Sequence, residues 1–132
     1  MKILVIEDSR LLEAGIRRAL TKAGHEVILT TDGQEGLDTA RRIRPDLVLL
    51  DMMLPGLSGT GVLEALKSHP ATADVPVFVL TGLSRKNEEK LLRAGAARYF
   101  EKSDLLLHDN FASVVDAIAL FGASLKESLP RD

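Results

Sequence analysis

The sequence predicts an α/β fold in which a parallel sheet is covered by helices on both sides. Short runs of leucine and β-branched residues alternate with helical patterns along the chain, and no longer segment repeats. The run at residues 47–50 is apolar throughout, which is typical of a strand buried on both faces. With 132 residues, 45% of them hydrophobic, we expect one domain with a single core.

The first strand is predicted at residues 3–6 and the first helix directly after it. Ser9 is a typical N-cap for this helix, and Gly24 is expected to end it. The apolar positions of the helix recur at helical spacing and are Leu12, Ile16, Leu20 and Ala23.

The second strand is predicted at residues 26–30, and a turn at residues 31–33 leads into the second helix, which Pro45 closes. The third strand, residues 47–50, stops at Asp51, and the turn at Pro55 and Gly56 leads into the third helix. The apolar positions are Leu37, Ala40 and Ile43 in the second helix and Val62, Leu63 and Leu66 in the third.

The fourth strand is predicted at residues 77–80 and a short fifth strand at residues 98–100. The helix between them, residues 85–94, has little apolar content beyond Leu91 and Leu92, so we expect it to dock weakly. The last helix has apolar residues at helical spacing, namely Phe111, Val114, Val115, Ile118 and Leu125. The predicted domain spans residues 1–127, with a short tail at residues 128–132 and no output domain.

Composition gives no support to nucleic-acid binding, membrane binding or a thiolate metal site. Seventeen basic and nineteen acidic residues leave a formal charge of −2, which gives no indication of binding to nucleic acid or to an anionic membrane. There is no cysteine, and the three histidines lie outside any metal-ligand spacing. The first strand follows directly after Lys2 and no long apolar helix is present, which predicts a cytoplasmic protein without membrane insertion.

Polar side chains follow four of the predicted strands. Glu7 and Asp8 end the first strand, Asp51 the third, Thr81 the fourth and Lys102 the fifth. Each has an ordinary explanation when taken singly: an acidic helix start, a turn, a cap or a solvated cation. Because the carboxyl ends of parallel strands share one edge of the sheet, we expect the five side chains to converge there, at a ligand site.

The predicted site suits phosphoryl transfer. Neighbouring carboxylates raise one another's pKa unless a cation is present, and an all-oxygen ligand set favours Mg²⁺. With Mg²⁺ leaving positions for phosphate oxygens, Asp51 becomes a nucleophile, and Lys102 and the Thr81 hydroxyl complete a clamp on the phosphoryl group.

The chain resembles the receiver domain of two-component response regulators, and is similar to the single-domain chemotaxis regulator. The resemblance covers almost the whole sequence. It rests on the Glu7-Asp8 acid pair, on Asp51 followed by Met-Met-Leu-Pro-Gly, on Thr81 followed by Gly82, and on Lys102 three residues after Tyr99.

The resemblance implies a flavodoxin-like three-layer sandwich with a five-stranded parallel sheet in the order 2-1-3-4-5. It implies an aspartyl phosphate at Asp51, formed from a phosphohistidine of a sensor histidine kinase or histidine phosphotransfer protein, and an unidentified downstream protein as output. It also implies that Mg²⁺ is bound by Asp8, Asp51 and the backbone carbonyl of Met53, with Glu7 reaching it through water, and that Thr81 and Tyr99 form a switch pair.

One position departs from the family pattern. Members usually have proline after the lysine, often with a cis bond, whereas this chain has Ser103. Because a cis bond before a non-proline residue costs about 3 kcal/mol, we expect a trans bond here.

Three alternatives remain. A magnesium phosphatase of the haloacid dehalogenase type needs a general acid two residues after its aspartate, where this chain has Met53. A receiver that cannot be phosphorylated would lack some of the five site residues, all of which are present. The chain can also be the receiver of a longer regulator whose effector domain is missing. We expect a switch that catalyses only its own phosphorylation and dephosphorylation, not an enzyme with a separate substrate.

Overall fold

The computed structural model describes residues 1–54, 57–82, 88–105 and 111–128. The side chains of residues 88 and 124–128 lie outside this description. The described chain contains strands at each of the predicted positions. Their bounds are Lys2–Ile6 (β1), Glu26–Thr30 (β2), Leu47–Asp51 (β3), Val77–Thr81 (β4) and Arg98–Glu101 (β5).

The strands form one sheet in the order β2-β1-β3-β4-β5, and every neighbouring pair is parallel. The order that the resemblance implied is therefore confirmed. The register places Leu50 opposite Ile6, Leu80 opposite Asp51, and Glu101 opposite Thr81. Residues that follow β1, β3, β4 and β5 consequently meet at one edge of the sheet.

The helices alternate with the strands, as the sequence predicted. Local capping explains where three of them begin, because Ser9, Asp32 and Ser58 each accept a hydrogen bond from the backbone three residues ahead. Gly24, with φ of 94°, follows the first helix as predicted. The helices are Arg10–Lys22 (α1), Gly33–Ile43 (α2), Gly59–Ser68 (α3), Glu88–Arg93 (α4), Lys102–Asp104 (α5) and Ala112–Ser128 (α6).

The sheet separates two apolar clusters, which explains why the central strands have no polar alternation. Alternate residues of β1, β3 and β4 point to opposite faces, and all except the partly buried Lys2 are fully buried or nearly so. One cluster packs α1 and α6 on the sheet, and the other packs α2, α3 and α4 on the opposite face. The three layers of the predicted sandwich are therefore present.

Two predicted core positions are wrong. Ala23 is exposed because it is the C-cap of α1, where the chain turns away from the sheet. Leu92 is 42% exposed, whereas its neighbour Leu91 is 5% exposed, because adjacent residues of a helix point about 100° apart and a short helix can face the sheet with only one of them.

The connection after β5 also has its own form. Among the described peptide bonds none is cis, so the Lys102–Ser103 bond is trans, as expected. Lys102 is the first residue of α5, a helical turn that the sequence did not predict. Phe111 lies directly before α6 instead of inside it. The start of the helix predicted at residues 85–94, the turn at Pro55 and Gly56, the side chain of Leu125 and the tail at residues 129–132 lie outside the described residues.

Of the helices in the described ranges, none combines the length and the apolar character that crossing a bilayer requires.

Candidate functional site

Three carboxylates meet at the carboxyl edge of the sheet. Glu7 and Asp8 follow β1, and Asp51 ends β3, the neighbouring strand. One carboxylate oxygen from each lies within 4.8 Å of the other two. Glu7 and Asp51 are fully buried and Asp8 is exposed, so the cluster opens to solvent on one side.

Lys102 links the far strand to this cluster. Its Nζ lies 2.7 Å from Asp51 Oδ1 and 3.6 Å from Glu7 Oε2. The Lys102 side chain is 21% exposed, so the ion pairs are only partly screened by solvent. Three carboxylates and one ammonium leave a formal charge of −2 in a small volume, which favours a divalent cation.

Backbone groups fix the two buried carboxylates. The Ser9 N–H donates to Glu7 Oε1 at 3.0 Å, and the Met53 N–H donates to Asp51 Oδ1 at 2.9 Å. Among the described residues, the second oxygens, Glu7 Oε2 and Asp51 Oδ2, are buried without a hydrogen-bond partner. Because buried acceptors without donors are costly, these two oxygens are the ones that a bound group would satisfy.

Burial dominates the electrostatics of Glu7. Loss of solvation, the largest cause, and the neighbouring Asp51 together raise the pKa of Glu7 from its ordinary 4.5 to about 7, although the Ser9 N–H and Lys102 act in the opposite direction. Without a cation, Glu7 therefore retains a proton over part of the range near neutral pH. A metal ion at the cluster would stabilise the ionised carboxylate and so lower this pKa.

The donor set fits a hard divalent ion. All three side chains offer carboxylate oxygens, two oxygens are buried and unpartnered, and the exposed Asp8 leaves an entry path. The residues therefore fit Mg²⁺ on chemistry and charge. The role of the Met53 carbonyl as a further ligand stays a prediction.

The remaining predicted residues lie on the β4–β5 side of the site. Thr81 is fully buried at the end of β4, one residue beyond the position opposite Asp51. Tyr99 lies on β5 opposite Val79 and packs, partly buried, against the α2–α3–α4 cluster. The structure thus brings Glu7, Asp8, Asp51 and Lys102 into direct proximity and puts Thr81 beside them.

Gly59, the first residue of α3, supports the Asp51 loop and was not singled out from the sequence. A Cβ at Gly59 would lie 2.4 Å from the Met52 Cα and 2.8 Å from the Asp51 carbonyl oxygen. Only glycine allows the start of α3 to approach the backbone so closely. The available signal was a glycine at a helix start eight residues after Asp51, directly behind the N-cap Ser58.

Comparison with known proteins agrees with this geometry. Residues 3–107 match the response regulator receiver domain family. The chain is 35% identical over 98 residues to the polar-differentiation response regulator DivK of Brucella anthropi, which covers 74% of this chain and 80% of DivK. It is 40% identical over 133 residues to the response regulator MprA of Mycolicibacterium vanbaalenii, which covers 100% of this chain and 53% of MprA. The chain therefore spans about half the length of MprA.

A solved structure extends the comparison to the site. The receiver domain of the sensor histidine kinase PA1611 from Pseudomonas aeruginosa PAO1, with magnesium coordinated in its active site cleft, superposes with a TM-score of 0.74. The two are 28% identical, and the alignment covers 89% of this chain and 92% of that one. On these matches and the parallel sheet order, the chain belongs to the response regulator receiver domain family.

Proposed function

We propose that this receiver accepts a phosphoryl group on Asp51 from a phosphohistidine of a sensor histidine kinase or histidine phosphotransfer protein, and passes the signal on by protein contact. One observation carries the proposal. Asp51 is fully buried with Oδ1 held by Lys102 and the Met53 N–H, while Oδ2 has no hydrogen-bond partner among the described residues. One oxygen is thus fixed by two donors, and no hydrogen bond competes with a bond from the other oxygen to phosphorus.

The chemistry follows from these positions. Asp51 Oδ2 forms a bond to phosphorus, and the bond from phosphorus to the imidazole nitrogen of the donor breaks, so that the nitrogen takes the electron pair. Lys102 lies where its ammonium attracts the phosphoryl oxygens, and the Thr81 hydroxyl at the end of β4 would donate to one of them. Positioning and charge neutralisation are most of what such a transfer requires.

Mg²⁺ is the cofactor that we propose for this site. Glu7, Asp8, Asp51 and the Met53 carbonyl would hold it, with Glu7 acting through water. When bound, it would neutralise charge on the phosphoryl oxygens. The net negative charge of the three-carboxylate cluster and the unpartnered Glu7 Oε2, which could accept from a metal-bound water, support this assignment.

The proposed activity is limited to the protein's own phosphorylation and dephosphorylation. A phosphatase of the haloacid dehalogenase type needs an acid where Met53 stands, and the Met53 side chain is apolar and 61% exposed. We propose residues 1–127 as the receiver and residues 128–132 as a tail. DivK and MprA differ in how much of their length this chain matches, so a longer regulator remains the second possibility. The expected cytoplasmic location and the absence of direct nucleic-acid contact stay predictions.

Output is proposed to leave through the face formed by α4, β5 and α6. Drawing Thr81 toward a phosphoryl group would open space for Tyr99 on the neighbouring strand to turn further inward. A preference of about 1.4 kcal/mol for the active form changes its population ratio tenfold. The downstream protein would read that change on α4, which has a single buried leucine.

Phosphorylation of Asp51 tests the proposal. Incubation with acetyl phosphate and Mg²⁺ should add one phosphate by intact-mass spectrometry, and EDTA should prevent it. Asp51→Asn should abolish the added mass. Asp38→Asn, which changes an exposed carboxylate on α2, should still gain one phosphate. Lys102→Ala should still bind Mg²⁺, but it should be phosphorylated more slowly and should fail to couple phosphorylation to a conformational change. Single labelling of Asp51→Asn at the wild-type level would refute the assignment.

A further inference from the structure

Lys102 stands at a junction between two elements. β5 ends at Glu101, and Lys102 is the first residue of α5. A lysine side chain has many rotamers, so the 2.7 Å approach of its Nζ to Asp51 depends on where its backbone is held. The ladder with β4 fixes one side of that backbone, since Glu101 lies opposite Thr81. The other side depends on the contacts made by the chain beyond α5.

A chain of backbone hydrogen bonds runs from Lys102 to Phe111. The Leu105 N–H donates to the Lys102 carbonyl, and the Phe111 N–H donates to the Leu105 carbonyl at 3.3 Å. Leu105 is 1% exposed in the α1–α6 cluster, so its position is set by the core. A displacement of Phe111 would therefore displace the Lys102 backbone through Leu105, a single buried residue.

Phe111 is held in an unfavourable backbone conformation. Its φ is 69°, a left-handed value that is sterically unfavourable for a bulky residue. Its side chain is 4% exposed in the same cluster as Leu105. Such a conformation persists only when the surrounding packing imposes it. Backbone conformations of this kind cluster at functional sites.

Gly15 of α1 leaves the space in which the Phe111 ring packs, and this packing holds Phe111 in its left-handed conformation. A Cβ at Gly15 would lie 2.2 Å from Cε2 and 2.7 Å from Cζ of the Phe111 ring. The missing side chain therefore leaves a gap in α1 that the ring fills. Because α1 is capped by Ser9 and carries three buried residues, the gap lies on a firmly anchored element.

We propose that Phe111, seated in the gap at Gly15, is a positioning residue for Lys102. Through Leu105 it sets the backbone at the start of α5, so that the Lys102 ammonium stays at Asp51. This inference rests on the proposed function, because it concerns the Lys102 ammonium that would contact the phosphoryl group. The carboxylates come from β1 and β3 instead, so loss of the Phe111 contact should slow phosphorylation without weakening Mg²⁺ binding.

The first comparison uses two phenylalanines of the same cluster. Phe111→Leu should slow Mg²⁺-dependent phosphorylation by acetyl phosphate about tenfold, because a misplaced Lys102 loses its alignment. Phe121→Leu makes the same chemical change in the same cluster, on α6, and should leave the rate unchanged in folded protein. Mg²⁺ affinity, measured by calorimetry with the metal alone, should be no weaker in either variant than in the wild type.

The second comparison separates positioning from general destabilisation. In a Lys102→Ala background, Phe111→Leu should produce no further loss of rate, since the group that it positions is absent. Gly15→Ala should resemble Phe111→Leu, and the double variant should recover part of the rate because the new methyl group fills space that the smaller side chain leaves. If Phe111→Leu does not fold, Gly15→Ala tests the same contact by a change on the α1 side.

The outcomes separate the two proposals. Absence of any phosphorylation of wild-type Asp51 would overturn the proposed function and this inference with it. Normal wild-type phosphorylation combined with equal rates for Phe111→Leu and Phe121→Leu would overturn the positioning role alone. A further loss in the Lys102→Ala background, or a parallel loss of Mg²⁺ affinity, would overturn it as well.

Discussion

The helices α2 and α4 pack against the same face of the sheet but are anchored very differently. α2 has eleven residues, a side-chain cap from Asp32, and five buried positions. In α4 the described helix has six residues, and Leu91 is buried while Leu92 is 42% exposed. α2 leads into β3, which carries Asp51, whereas α4 lies between Thr81 and Tyr99. The well-anchored α2 therefore precedes the strand that carries Asp51, and the weakly anchored α4 adjoins the proposed switch pair.

Truncation of one leucine in each helix should show this difference most strongly. Leu37 and Leu91 belong to the same cluster and are 4% and 5% exposed. Leu37→Ala should lower the free energy of unfolding by about 3–4 kcal/mol, because the well-anchored α2 cannot close the cavity. Leu91→Ala should cost at most about 2 kcal/mol, because α4 can shift or open locally.

Urea denaturation of both variants measures the difference. The control is Leu92→Ala, which removes a largely exposed side chain and should stay within about 0.5 kcal/mol of the wild type. Equal costs for Leu37→Ala and Leu91→Ala would mean that α4 is as firmly held as α2.

Burial of the Glu7 carboxyl group also has an electrostatic cost, and the pH dependence of stability should reveal it. The pKa of Glu7 is raised from 4.5 to about 7, so between these values the folded protein binds more protons than the unfolded chain. Its contribution is fully present below pH 4.5 and is lost as pH rises through 7. In EDTA the wild type should therefore lose about 3 kcal/mol relative to Glu7→Gln over that window.

Thermal or urea unfolding at several pH values, with and without Mg²⁺, checks this prediction. Added Mg²⁺ should reduce the loss, because the cation stabilises the ionised carboxylate. Stability of the wild type that rises with pH relative to Glu7→Gln, in EDTA, would show that the sign is wrong.

The lifetime of the aspartyl phosphate should depend on Met53. The side chain is 61% exposed beside Asp51 and offers no strong hydrogen-bonding group to orient an attacking water. Met53→Asn supplies one, and a hydrogen bond worth about 1 kcal/mol should speed loss of the phosphate roughly fivefold. Met53→Leu keeps the position apolar and serves as the control. A Met53→Asn phosphate that decays at the wild-type rate would exclude this shielding. From the sequence we also expect Leu83, two residues after Thr81, to lie over the phosphoryl group, but Leu83 is outside the described residues.

The fold was predictable because each strand is a short apolar run and each boundary has local chemistry. Ser9 and Gly24 bound α1 through a cap and a left-handed turn, and the alternation of elements implied a parallel sheet. The strand order was not derivable from local pattern and came from the family resemblance. Leu92 was misplaced because one apolar residue does not fix the rotation of a short helix.

The convergence of the site was also predictable, since parallel strands share one carboxyl edge. Glu7, Asp8, Asp51 and Lys102 meet there as expected. The supporting residues were harder to find. The contact between Phe111 and Gly15 joins positions far apart in sequence, and a gap in a helix has no local signature.

Amide NMR on the protein with Mg²⁺ and beryllofluoride, a mimic of the phosphoryl group, tests the contrast between α2 and α4 most directly. We predict clear chemical-shift changes at Thr81, Leu91 and Tyr99, with Leu37 and Ala40 of α2 nearly unchanged, because the weakly anchored helix lies next to the switch pair. Changes confined to the loops around Asp8 and Asp51, or equally large in α2 and α4, would contradict the account.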